Sequence, residues 1–96
     1  MKLFIDTTDR EKIIIGLDDK KFETNARENS SQKLLPFIEE TLKKEKKDIK
    51  DISEITVATG PGSFTGIRVG VAVANTLAYV LKIPVNKKAL ELDINY

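Results

Sequence analysis

Residue types suited to chemistry occur in two places, at Asp6-Thr7 and in the glycine-rich run Gly60-Pro61-Gly62-Ser63-Phe64-Thr65-Gly66. The run follows an apolar, strand-like segment and precedes a long apolar helix. Free backbone N–H groups and the helix dipole would therefore point the same way and favour an anion. The candidate residues for such an anion site are Asp6, Thr7, Gly62, Ser63, Thr65 and Arg68.

Neither common phosphate motif is present in the glycine-rich run. It lacks a Gly-Lys-Ser/Thr sequence, and glycines at 60, 62 and 66 miss the G-x-G-x-x-G spacing by one residue. We therefore favour a structural reading, in which the first two glycines permit a tight turn, Ser63 or Thr65 caps the helix, and Gly66 lets the helix lie close to a sheet. Asp6 followed by threonines is likewise typical of a hairpin turn.

Composition narrows the possible functions. The 96 residues include no cysteine and no histidine, which excludes a disulfide, a thiolate zinc site, a Cys–His pair and a Ser-His-Asp triad. We therefore predict no catalytic residue, no metal and no cofactor. Sixteen basic and fifteen acidic residues leave a net charge of +1, so any contact with RNA should need a partner. A domain this small is also marginal alone, which again favours a partner surface.

The apolar runs predict an α/β fold. Residues 3–5, 13–15 and 21–25 indicate three antiparallel strands, and runs at 55–59 and 83–86 indicate two strands parallel to the first, joined by a helix in a right-handed crossover. The apolar stretch at the amino terminus is too short for a signal peptide. No other segment is long and apolar enough to cross a bilayer without charges. We expect a cytoplasmic protein.

Two helices are predicted between these strands. The first is capped by Ser30 or Ser31 and is amphipathic. The second, from Ile67 to Leu81, is apolar on nearly every side, with small residues at 66, 70, 74 and 78, so it needs cover on more than one side. The predicted partner interface on the two helices consists of Leu34, Leu35, Ile38, Leu42, Val69, Val73 and Leu77.

The segment from Gly60 to Gly70 resembles the signature of the TsaB family, also called YeaZ. Ile5-Asp6-Thr7-Thr8 is similar to the family's first strand, and Leu34-Leu35-Pro36 to the head of its first helix. A departure is Ser30-Ser31-Gln32, where the family usually carries His-Ser-Glu. The resemblance covers almost the whole chain and about half of the family's fold.

The resemblance implies a single actin-like (ASKHA, RNase H-like) lobe over residues 1–96, with a mixed five-stranded sheet and two main helices, and with the family's second lobe absent. In that superfamily a first-strand aspartate, here Asp6, helps to hold the metal of ATP between two lobes. With one lobe there is no opposing wall to exclude water, so catalysis by this chain alone is not expected.

The family resemblance also implies a function. Members bind TsaD, the subunit that transfers threonylcarbamoyl to an adenosine of tRNA, and they can form a homodimer through the same two helices. The implied role is a non-catalytic dimerisation and scaffold subunit that meets tRNA only through the complex and has no membrane contact. Two alternatives stay open: a nucleotide-binding or nucleotide-hydrolysing fragment that uses Asp6 and the 60–66 turn, and an independent homodimer that has lost its TsaD partnership.

Overall fold

Four strands and two helices make up residues 1–27 and 29–86, the part of the chain that this computed structural model describes. The last ten residues of the expected 1–96 lobe lie outside that range. The elements in chain order are β1 (Lys2–Asp6), β2 (Lys12–Leu17), β3 (Lys20–Asn25), α1 (Ser30–Lys44), a 3-10 turn (Ile49–Asp51), β4 (Glu54–Val57) and α2 (Phe64–Leu81).

The sheet has the strand order β3-β2-β1-β4, in which β1–β2 and β2–β3 are antiparallel and β1–β4 is parallel. Because side chains alternate along a strand, the paired residues Ile5, Ile15 and Val57 share one face, which is buried. Helix α1 packs against β2, and α2 packs against β1 and β4. The mixed α/β sheet with two helices is confirmed.

The predicted fifth strand at 83–86 is wrong in the described residues, where the sheet has four strands. What remains of it is one parallel bridge between Ile55 and Val85. Pro84 has no N–H to donate, and Asn86 adopts a left-handed conformation (φ 52°), which ends the extended run. The side chain of Asn86 then replaces a backbone partner, since its Oδ1 accepts a hydrogen bond from Val57 N at 2.8 Å.

Helix α1 begins without the serine cap expected from the sequence. Asn29 occupies the N-cap position and makes no side-chain capping hydrogen bond. Pro36 lies inside the helix and leaves one backbone carbonyl without its usual N–H donor. The amphipathic pattern is nevertheless present, because Leu34 and Ile38 are completely buried against the sheet side.

Helix α2 is capped by Ser63, whose Oγ accepts a hydrogen bond from Gly66 N at 3.2 Å. Its buried side includes the small residues at 66, 70, 74 and 78, so the sheet approaches the helix backbone there. Over 18 residues its mean hydropathy is 1.4, which gives α2 the length and apolarity of a membrane span. It contains one charged residue, Arg68, so the expectation that no such segment is free of charges stands. The core helix of a soluble protein meets the same criterion, and α2 packs on the sheet.

Candidate functional site

The glycine-rich turn is built directly onto the end of β1. Ser63 N donates a hydrogen bond to Thr8 O at 2.7 Å, and the buried Thr7 hydroxyl donates to the carbonyl of Gly66. The chain between β4 and α2 is thereby fixed to the segment that follows β1, at the ends of two parallel strands. This position requires backbone to lie against backbone.

Glycine is the residue that fits at three points of this junction. A Cβ on Gly66 would overlap the Thr7 carbonyl oxygen, and one on Gly70 would lie 2.5 Å from Thr7 Oγ1. A Cβ on Gly62 would lie 2.5 Å from Thr8 O, and the φ of Gly62 is +159°. The spacing of these glycines therefore serves close approach, which favours the structural reading of the motif.

The six anion-site candidates do not form one cluster. Asp6 is the last residue of β1 and Thr7 follows it directly, and their side chains point to opposite faces of the sheet. Asp6 Oδ1 accepts hydrogen bonds from Thr8 N (2.9 Å) and Thr8 Oγ1 (2.7 Å), while Thr7 lies under α2. Arg68 stands on the exposed side of α2, with its guanidinium carbon 5.7 Å from the centre of the Phe64 ring.

A surface depression of about 460 Å³ lies where α2 begins and α1 begins. Its lining residues are Arg10, Ser30, Ser63, Phe64, Thr65 and Gly66. A guanidinium beside hydroxyl groups at a helix amino terminus suits a small anion. Sequence reasoning missed Arg10, because no spacing rule links it to a turn fifty residues later; only the fold brings the two together.

Most of the predicted interface residues lie in this chain's own interior. The side chains of Leu34, Ile38, Leu42 and Leu77 are buried in the core, and Val69 and Val73 are half-buried against it. Leu35 is 41% exposed. The apolar pattern of the two helices had identified these positions without showing which element covers them.

The solvent-facing side of α2 carries exposed apolar residues that lie outside the predicted interface set. Phe64, Tyr79 and Val80 are 62%, 70% and 68% exposed. We call this the outer α2 surface, made up of Phe64, Arg68, Ala72, Thr76, Tyr79 and Val80. The sequence indicates such a surface because α2 has no polar face. A helix that is apolar all round must expose apolar residues if a single sheet covers it.

No metal site is evident in the described residues. They contain no group of three or more His, Cys, Asp or Glu side chains placed to hold a metal ion.

The chain is similar in sequence to known proteins over most of its length. A family model described as TsaD, tRNA N6-adenosine threonylcarbamoyltransferase, matches residues 23–87. The tRNA threonylcarbamoyladenosine biosynthesis protein TsaB of Buchnera aphidicola is 34% identical over 76 residues, which are 79% of this chain and 34% of that protein. The TsaB of Bacillus subtilis is 41% identical over 63 residues, which are 66% of this chain and 28% of that protein.

Among solved structures, YeaZ from Pseudomonas aeruginosa superposes with a TM-score of 0.75 at 25% identity, over 88% of this chain and 41% of that one. The family model and the shared α/β fold define the wider group of threonylcarbamoyladenosine proteins. Within that group, this chain belongs to the TsaB/YeaZ family. It spans about a third of the length of the curated relatives that it matches.

Proposed function

We propose that this chain is a non-catalytic dimerisation and scaffold subunit in the formation of N6-threonylcarbamoyladenosine in tRNA, and that it binds and activates a TsaD-type transferase. The observation that carries the proposal is the outer α2 surface. Family membership supports a role in this tRNA modification, and the exposed apolar residues support a surface on which a partner could dock. A cytoplasmic location follows from the tRNA substrate.

The outer α2 surface has the composition of a protein interface. Phe64 and Tyr79 are aromatic, Val80 is apolar, and Arg68 lies against the Phe64 ring. Aromatic residues and arginine are enriched at interface cores and among the residues that dominate binding energy. The opposite side of α2 is already satisfied by the sheet, so docking on the outer side leaves the fold unchanged.

The half-buried valines extend the proposed contact. Val69 and Val73 are partly accessible beside the outer α2 surface, and Leu35 is exposed on α1. We place the proposed interface on these residues together with the outer α2 surface. The buried members of the predicted set, Leu34, Ile38, Leu42 and Leu77, then act indirectly by holding the helices in position.

A docking role is better supported than a nucleotide site. The Asp6 carboxylate already accepts two hydrogen bonds inside its own turn, and it lies on the opposite sheet face from α2. A nucleotide held by both Asp6 and the glycine-rich turn would have to reach around the end of β1. Titration with ATP up to millimolar concentration decides the matter: saturable binding that is lost in Asp6→Ala would favour the nucleotide reading.

Binding to the cognate TsaD protein tests the scaffold role. We expect Val80→Glu to weaken the complex by about a hundredfold, since a charge would be buried in an apolar contact. The matched control is Thr56→Glu, which adds the same charge at an exposed position on the other face of the sheet. Circular dichroism should show both variants folded. If both bind TsaD as the unaltered chain does, or if the unaltered chain binds no TsaD, the proposal is wrong.

Self-association separates the scaffold role from the independent homodimer. In isolation the chain should dimerise through the same outer α2 surface, and TsaD should replace that contact. A dimer that persists when TsaD is in excess would favour a homodimer without the TsaD partnership. We expect this chain to bind tRNA only when TsaD is present, because its net charge of +1 gives it little affinity of its own for phosphates.

A further inference from the structure

The two edge strands of the sheet differ in how their outward backbone groups are hydrogen-bonded. At the β4 edge, Ile55 N donates to Pro84 O (3.0 Å), Ile55 O accepts from Asn86 N (2.7 Å), and Val57 N donates to the Asn86 side chain. The backbone groups of that edge are therefore satisfied. At the other edge, β3 pairs with β2 alone within the described part of the chain.

The hydrogen-bond alternation shows which groups of β3 point outward. Ala26 N donates to Glu11 O at 2.8 Å, and the pairing continues in the same register from Asn25–Lys12 to Lys20–Leu17. Residues of even number on β3 therefore bond to β2. The N–H and C=O groups of Lys21 and Glu23 point away from the sheet, while the Asn25 carbonyl accepts from Lys33 Nζ at 3.2 Å.

The side chains of this edge carry opposite charges two residues apart. Lys21 and Glu23 lie on the helix-free face of the sheet and are exposed, while Phe22 between them packs against the core on the other face. A strand with a positive residue, an apolar residue and a negative residue in that order is complementary to itself when it runs antiparallel.

We propose that the outer edge of β3 pairs antiparallel with the same edge of a second copy of this chain, about a two-fold axis at Phe22. In that register, Lys21 lies opposite Glu23 of the second copy and exchanges both backbone hydrogen bonds with it. The symmetry repeats this pair, and the two Phe22 residues face each other as a close, non-hydrogen-bonded pair.

Neighbouring registers are disfavoured by charge. An axis at Lys21 would place two lysines directly opposite each other, and an axis at Glu23 would do the same with two glutamates. A shift by an odd number of residues would place Phe22 opposite a residue of the helix-free face. The register centred on Phe22 is the one in which backbone groups, charges and apolar side chains all match.

The same charges make the edge selective. Lysines on an edge strand usually prevent pairing with foreign strands, and here Glu23 of the second copy offsets Lys21. Glu23 also forms an exposed ion pair with Lys12 at 3.7 Å. Such an exposed pair is weak, so Glu23 can also pair with Lys21 of the second copy. Because α2 packs on β1 and β4, this contact would leave the outer α2 surface free for another partner.

A charge swap tests the contact independently of the proposed scaffold function. The background is Val80→Glu, which is expected to weaken association through the outer α2 surface. Sedimentation equilibrium up to roughly 1 mM is appropriate, since an interface well under about 1,000 Å² is expected to be weak. Lys21→Glu should raise the dimer dissociation constant about tenfold or more, because it makes two like-charge pairs. Adding Glu23→Lys should restore it, and Lys43→Glu on α1 is the matched control.

Cysteine cross-linking tests the register, because the chain has no cysteine of its own. Phe22→Cys at the axis should form a disulfide-linked dimer on mild oxidation, since opposed Cα atoms at about 4.5 Å are within disulfide range. Phe22 contributes to packing, so a second pair avoids that residue: Lys21→Cys mixed with Glu23→Cys should cross-link at least tenfold faster than Lys21→Cys alone. Equal rates, a monomer at 1 mM, or a swap that fails to restore association would overturn the proposal.

Discussion

The two sides of α2 differ in how completely the chain itself satisfies them. On the inner side, Gly66 and Gly70 meet Thr7 so closely that a Cβ has no room. On the outer side, Tyr79 and Val80 are mostly exposed to solvent. The inner side of α2 therefore requires particular residues at particular positions, whereas the outer side is only apolar in character.

This difference separates residues that build the fold from residues available to a partner. Close approach of a helix to a strand requires particular residues at particular positions, whereas an open apolar surface tolerates changes until something docks on it. Helix α1 repeats the pattern, with Leu34 buried and its neighbour Leu35 exposed. Matched substitutions on the two sides should therefore have very different effects on stability.

The largest effect is expected at the glycine contact. Gly66→Ala places a methyl group on the Thr7 carbonyl and should lower the free energy of unfolding by about 4 kcal/mol or more, or prevent folding. Ala72→Leu, which adds more atoms on the outer side of the same helix, should change it by less than about 0.5 kcal/mol. Urea denaturation followed by circular dichroism compares the two. Equal losses in the free energy of unfolding would mean that the two sides of α2 do not differ in how tightly they are packed.

The second comparison is between neighbouring leucines of α1. Leu34→Ala removes a completely buried side chain and should cost about 3 kcal/mol through lost burial and a residual cavity. Leu35→Ala should cost under about 1 kcal/mol, since that side chain is 41% exposed. Thermal unfolding of both variants measures the difference. A large cost at Leu35 would show that it is covered even in the isolated chain.

Sequence reasoning was most successful where spacing determines geometry. Small residues at 66, 70, 74 and 78 repeat every four positions, and they do lie on the buried side of α2. The hairpin strands and the parallel β1–β4 pair follow similarly from alternation and from the crossover rule. The same alternation places the side chains of Asp6 and Thr7 on opposite faces of the sheet, which divides the anion candidates.

Other features depended on contacts that spacing cannot supply. Asn86 ends the predicted fifth strand by offering its side-chain amide to Val57, and composition gives no sign of that. Arg10 reaches the start of α2 only through the tertiary fold. The interface residues were identified as apolar stripes, yet a core and an interface are both apolar, so the pattern could not assign Leu34 to the interior.

A smaller effect is expected at the start of α2, where two hydroxyl residues again face in different directions. Ser63 Oγ accepts a hydrogen bond from Gly66 N at 3.2 Å, so Ser63→Ala should cost about 1 kcal/mol as a lost N-cap. Thr65 is exposed, and Thr65→Ala should be neutral within about 0.5 kcal/mol. Chemical denaturation of the two variants decides which hydroxyl caps the helix; the larger cost at Thr65 would reverse the assignment.

The smallest effect is expected on the outer side, and its sign is informative. Val80→Ala removes little buried area at a position that is 68% exposed, and alanine has the higher helix propensity, so stability should be unchanged or rise by up to about 0.5 kcal/mol. Val71→Ala makes the same chemical change on the buried side, where the lost packing should cost about 1 to 3 kcal/mol. Denaturation midpoints measured below the association threshold compare the pair, because self-association would otherwise add stability to the unaltered chain. At higher protein concentration, the Val80→Ala variant should gain less stability than the unaltered chain does. If the two valines cost the same at low concentration, the outer α2 surface is already covered within the monomer and cannot be the docking site.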